Sequence, residues 1–142
     1  MTTGRSARYA RAAARWGRLA LPVGSGSSPR VFYGHDRVPG PDDPATGGSA
    51  KVQKLATRFP NSPGSFTVLY LGSSWLPRDL RPLLWLARRR RAPIVVNQDG
   101  VGYPAWAGSQ WEDVNRPLRR ALLAADHVLY QSAFAKADAD RY

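Results

Sequence analysis

The chain has 142 residues, enough for one ordinary domain that could bury roughly two thirds of its unfolded surface. It has no cysteine and two histidines, which excludes disulfides and thiolate metal sites and leaves little for any metal centre, so no metal or other cofactor is expected. Of the net charge of +11, residues 1–30 carry +6, with six arginines (Arg5, Arg8, Arg11, Arg15, Arg18, Arg30) and no acid; the rest carries +5. Such a balance suits anionic partners: nucleotide phosphates, phospholipid headgroups or nucleic acid. No apolar run nears the roughly 20 residues that span a bilayer, so a soluble protein is expected.

Residues 1–29 read as a basic tail and linker. Arg8, Arg11, Arg15 and Arg18 would form one stripe on a helix through Ala10 to Leu19, and Gly24-Ser25-Gly26-Ser27-Ser28-Pro29 reads as a flexible linker. A disordered tail, an arm touching membrane or RNA, and a targeting peptide all remain open for it. The fold is expected over residues 30–142.

Val31-Phe32-Tyr33 is a short strand ended by Gly34, with a Pro- and Asp-rich loop from Asp36 to Thr46. After Gly47-Gly48, the spacing of Val52, Leu55, Ala56 and Phe59 predicts a helix that Pro60 stops. Phe66 to Leu71 predicts a strand covered on both faces, turned off at Gly72-Ser73-Ser74. Leu76, Leu80, Leu83, Leu84 and Ala87 predict a second helix, whose end carries Arg88 to Arg91. Those arginines read as a solvated helix end or as a patch for anionic lipid. Pro93 to Val96 predicts a third strand, leading to Asn97-Gln98-Asp99-Gly100 and an aromatic, glycine-rich loop through Ser109. Val114, Leu118, Ala121, Leu122 and Ala125 predict a third helix with Pro117 in its first turn. His127 to Tyr130 predicts a fourth strand, and Ser132 caps a helix barely begun at the end of the chain. Four strands joined by helices predict an α/β fold: successive right-handed crossovers, a largely parallel sheet with helices on both faces, and a crevice at the carboxyl ends of the strands.

The candidate site residues lie on those carboxyl ends. Gly47-Gly48 lets bare backbone N–H groups approach an anion at a helix start, with Lys51 adding charge one turn in; alternatively it is only a tight turn. Neither the P-loop nor the dinucleotide fingerprint is present. Asn97, Gln98 and Asp99 before Gly100 offer three consecutive hydrogen-bonding side chains suited to a sugar or polyol, or else plain turn chemistry. Tyr103, Trp106 and Trp111 stand ready to stack on an acceptor or to close over the core. His35 and His127 are too isolated to argue a nucleophile pair, and His127 reads as structural.

Val31 to Asp36, Gly47 to Lys51, Val68 to Ser74, Asn97 to Gly100 and Ala124 to Ser132 together resemble, in order and spacing, the N-terminal domain of GT-B glycosyltransferases of the retaining, family-4-like group. The resemblance implies a Rossmann-like fold, the incomplete acceptor-side half of a two-domain hexosyltransferase whose missing C-terminal domain holds the nucleotide-sugar. It places Gly47, Gly48 and Lys51 near the donor diphosphate, and Asn97, Gln98, Asp99, Gly100, Tyr103 and Trp106 at a hydroxyl acceptor in polysaccharide or glycolipid synthesis. Many relatives carry a histidine before the glycine where this chain has Asp99, so Asp99 stands as the catalytic candidate in either of two roles: orienting the acceptor hydroxyl or accepting its proton. The fragment is expected to be inactive alone and cytoplasmic, with its basic tail at the inner face of an anionic membrane; nucleic acid is not the expected partner. The alternative is a non-catalytic phosphate- or nucleotide-binding module whose tail contacts membrane or nucleic acid.

Overall fold

A computed structural model describes residues 28–142; the helix expected through Ala10 to Leu19 and most of the linker lie outside them. The strands β1 (Val31–Phe32), β2 (Val68–Gly72), β3 (Ile94–Gln98) and β4 (His127–Tyr130) form one parallel sheet in the order β1-β2-β3-β4. The helices are α1 (Gly47–Arg58), α2 (Leu80–Arg89), α3 (Pro104–Ala107), α4 (Trp111–Ala124) and α5 (Ala133–Arg141), with a 3-10 turn at Gly108–Gln110.

Register assigns the faces. Val31, Val68, Tyr70, Val95 and Asn97 share one side of the sheet; Phe32, Leu69, Leu71, Ile94, Val96 and Gln98 share the other. On the first side, Val52 of α1 packs with Val31 and Tyr33, flanked by Leu55, Ala56, Phe59, Val68 and Tyr70. Burial and the neighbouring Tyr70 push the Tyr33 phenol up to about 12, and its hydroxyl donates to the Phe59 carbonyl at 2.9 Å. On the second side lies the main core, where Leu80, Leu83, Leu84 and Ala87 of α2 and Ala121 of α4 meet Phe32, Leu69, Leu71, Ile94 and Val96. Helices on both faces are therefore observed.

The expected run of right-handed crossovers is not. From β1 to β4 each connection advances in the same direction, and such crossovers share one hand only when their helices share one face. Helices α2 and α4 do share a face, whereas α1 lies on the other, so the β1–α1–β2 connection has the opposite hand to the two that follow. A change of helix face between neighbouring parallel strands marks the switch point of doubly wound sheets, where ligands bind. Here it falls between β1 and β2. The outer edge of β1 is partly closed by the chain itself, since the Ser62 N–H donates to the Val31 carbonyl at 2.8 Å.

Several boundaries move for identifiable reasons. Helix α2 begins at Leu80 rather than Leu76, because Pro77 disfavours a helical residue before it and Asp79 takes the N-cap position. Helix α4 begins at Trp111, so Pro117 falls inside the helix instead of in its first turn and removes one backbone donor. Strand β3 runs on through Asn97 and Gln98. Helix α5 is 9 residues long, with the Ser132 hydroxyl accepting from the Ala135 N–H at 3.0 Å, so it is well formed rather than barely begun.

The arginine run after α2 is partly tied into the fold. Arg88 reaches the Ala124 carbonyl at 2.6 Å and Asp126 at 2.7 Å, while Arg90 donates to the Gly64 carbonyl at 3.1 Å and lies 4.7 Å over the Phe66 ring. Arg91 ends the helix at φ +54, with its own N–H on the Arg88 carbonyl and the Ala92 N–H on the Ala87 carbonyl. That is a Schellman closure made without the usual glycine.

Candidate functional site

The carboxyl ends of β2 and β3 and the first turn of α1 converge on Asp99. At the start of α1, Gly47 has φ +51, and Ser49 closes the turn: its hydroxyl accepts from the Thr46 N–H at 3.1 Å. Gly48 is buried because the loop after β2 presses against it. A Cβ there would lie 2.7 Å from the Ser74 hydroxyl and 2.8 Å from Trp75 Cβ. The absence of a side chain thus brings α1 close enough for Lys51, one turn later, to reach Asp99.

Lys51 Nζ sits 2.5 Å from Asp99 Oδ2, which also accepts from the Ser74 hydroxyl at 2.8 Å. Asp99 Oδ1 accepts from the Ser73 hydroxyl, whose oxygen in turn accepts the Asp99 N–H at 2.9 Å. Burial opposes ionisation of this carboxyl, but the hydrogen bonds from Lys51, Ser73 and Ser74 and the lysine charge outweigh it and hold the carboxyl below its ordinary value. Asp99 is therefore an anion with both oxygens engaged, suited to holding neighbours in place and a weak proton acceptor at neutral pH.

The three consecutive polar residues do not face one ligand together. Because β3 includes Asn97 and Gln98, their side chains alternate across the sheet. Asn97 lies on the α1 side, where its Oδ1 is 3.4 Å from Gln131 Nε2. Gln98 is completely buried on the opposite side; its Nε2 donates to the Gly100 carbonyl at 2.9 Å, and its Oε1 has no protein donor. Gln98 braces the turn at Gly100 from beneath.

Gly100, Tyr103 and Trp106 do come together, lining a cavity of about 660 Å³ with Ser73 and Ser74. Trp106, on the short helix α3, and Tyr103 before it are both exposed at its mouth. The opposite wall is held by Asn115 of α4, which accepts from the Gly102 N–H and donates to the Gly102 carbonyl, both at 2.7 Å. Trp111 does not line that cavity: it is edge-on to Tyr142 with ring centres 5.6 Å apart, and Tyr142 in turn meets the Tyr103 ring at 6.3 Å. His35 stacks on Trp75 at 3.8 Å, its Nε2 3.1 Å from the Trp75 carbonyl oxygen, and so helps fix the loop behind Gly48.

Ser73 and Ser74, which the sequence places at a strand stop on the edge of the crevice without singling them out as site residues, prove to be part of the cluster. Their signal was available: two hydroxyls at the carboxyl end of an apolar parallel strand, opposite an aspartate at the end of the next. Among the described residues no group of three His, Asp or Glu side chains stands ready to hold a metal ion, and no helix is long and apolar enough to cross a membrane.

Compared with known proteins, the chain matches no family model, and neither a curated protein nor a solved structure emerges as significantly similar to it.

Proposed function

We propose that this chain supplies the acceptor side of a sugar-transfer site, in which a sugar passes from a nucleotide-sugar to a hydroxyl acceptor during polysaccharide or glycolipid assembly. The observation that supports it is the Lys51–Asp99–Ser73–Ser74 cluster, which joins the first turn of α1 to the carboxyl ends of β2 and β3 and opens onto a cavity rimmed by Tyr103 and Trp106. In this reading the ammonium of Lys51, with one of its N–H groups spent on Asp99, directs the others at the donor diphosphate beside the first turn of α1. Asp99 is a positioning residue: it fixes Lys51 and the two serines, and the Ser74 oxygen accepts from a neighbouring, non-reacting hydroxyl of the acceptor. The bond from the anomeric carbon to the diphosphate breaks, the bond to the acceptor oxygen forms, and the departing diphosphate takes the acceptor's proton. Such chemistry requires the diphosphate to be gripped from a second, donor-binding domain as well.

Titration of the 15N-labelled chain with inorganic pyrophosphate and a panel of nucleotide-sugars tests the reading. Amide shifts are expected at Gly47, Gly48 and Ser73, with no release of nucleotide. Lys51→Ala should weaken the pyrophosphate response by about tenfold, the loss of one charge-assisted hydrogen bond. Shifts indifferent to Lys51→Ala, or nucleotide release by the isolated chain, would overturn it.

A further inference from the structure

We propose that the cavity beside Asp99 takes an amphipathic alcohol, with a hydroxylated head at Ser73 and Ser74 and an alkyl or aryl body along the far wall. The cavity is chemically two-ended. At the Asp99 end stand the two serine hydroxyls, anchored by the carboxylate. Away from it the wall is Leu76, Val101, Val114, Pro117 and Leu118. The one amide on that wall, Asn115, is buried and spends one N–H and one oxygen lone pair on Gly102, each at 2.7 Å. A second sugar ring laid there would bring most of its hydroxyls against the carbon side chains of Leu76, Val101, Val114, Pro117 and Leu118, a penalty that decides against it. A hydrocarbon segment meets no such penalty, and each methylene buried raises affinity roughly fourfold. Trp106, 68% exposed, and Tyr103 at the mouth present broad rings beside the wall, the arrangement expected where a ligand passes from an apolar body to a wet end.

That this alcohol is the sugar acceptor rests on the transfer reading; its binding does not. The test compares methyl β-D-glucoside with octyl β-D-glucoside, the latter kept below its micellar concentration. The readouts are the Trp106 indole resonance and the amides of Gly100 to Tyr103 in the full chain. The octyl compound should bind at least about tenfold more tightly, equivalent to two buried methylenes. Val114→Asp, at a position 44% exposed where a polar side chain does not threaten the fold, should cut that preference to near unity. Trp106→Ala, also at an exposed position, serves as the second variant and should reduce the preference too. Equal affinity for the two glucosides, or a preference that survives both variants, would overturn the proposal. So would binding to micelles or anionic vesicles with none to the monomer, which would assign the apolar wall to a bilayer. Lys51→Ala separates the two readings, since it should weaken the pyrophosphate response about tenfold and leave the octyl preference intact. An octyl preference with no pyrophosphate response in the unsubstituted chain sinks the transfer reading alone; a pyrophosphate response without the preference sinks the cavity proposal alone.

Discussion

Strand β3 carries an aspartate at each end of its environment, and the two do opposite jobs. Asp126, at the amino end, accepts the Ile94 N–H at 2.7 Å and pairs with Arg88 at 2.7 Å; the backbone bond first, then the arginine, hold its carboxyl below the ordinary value. Asp99, at the carboxyl end, is likewise depressed, yet every group donating to it is a side chain: Lys51 from α1, and Ser73 and Ser74 from the loop after β2. Removing Asp126 strands a backbone donor where β3 begins. Removing Asp99 releases three side chains and leaves the ladder untouched. Two ion pairs of similar geometry thus differ in what they support, one holding the sheet together and the other holding polar groups ready at the crevice.

The sharpest way to break the carboxyl end without touching Asp126 is Gly48→Ala. The added methyl would meet the Trp75 Cβ at 2.8 Å and the Trp75 backbone nitrogen at 3.1 Å, atoms that cannot swing aside. A loss of about 3 kcal/mol is expected in urea unfolding, the upper end for overpacking, together with displacement of Lys51 from Asp99. A neutral outcome would mean that α1 is not pressed against the loop after β2. Next in size is Asp126→Ala, which leaves the Ile94 N–H without its acceptor and Arg88 without its carboxylate, at about 2 kcal/mol. Its mark would be faster hydrogen exchange at Ile94, with the Ser73 and Asp99 resonances unchanged.

This division was legible in the sequence only in part. The apolar runs Val68 to Leu71 and Ile94 to Val96, and the spacing of Leu80, Leu83, Leu84 and Ala87, were enough to place strands and helices, because burial enforces those periods. Gly47-Gly48 was legible as a close approach, though not what approached it, since Ser74 and Trp75 lie in a separate loop. Asn97, Gln98 and Asp99 looked like one polar cluster because a strand end cannot be located within two residues from composition alone. Continuing β3 through Gln98 sends its side chain into the core and leaves Asp99 as the member bound to Lys51. The pairings of Asp126 with Arg88 and of Asp99 with Lys51 span 38 and 48 residues, and no local pattern announces them. The hand of the β1–α1–β2 crossover was invisible for the same reason: it depends on which face α1 chooses, and both faces of β2 are apolar.

The smallest effect should come from Asp99→Asn, and it sharpens the comparison most. Asparagine keeps an acceptor oxygen for one serine, offers an amide N–H to the other, whose hydroxyl can rotate to accept it, and loses the charge that pairs with Lys51, so a cost of about 1 kcal/mol or less is expected near neutral pH. Because the folded-state pKa of Asp99 lies below its unfolded value, its contribution is complete above an unfolded pKa of about 3.9 and is lost as pH falls through the lower folded value. The gap in stability between the two proteins should therefore be widest at neutral pH and close in strong acid. Salt separates the two ends of the sheet further. The side chains of Lys51 and Asp99 are 33% and 11% exposed, against 53% and 33% for Arg88 and Asp126, so screening should erode the Arg88–Asp126 pair first. If Asp99→Asn instead cost as much as Asp126→Ala and melted β3, Asp99 would belong to the scaffold as Asp126 does. A small cost with loss of the pyrophosphate response would leave it where the geometry puts it, holding Lys51 for a ligand.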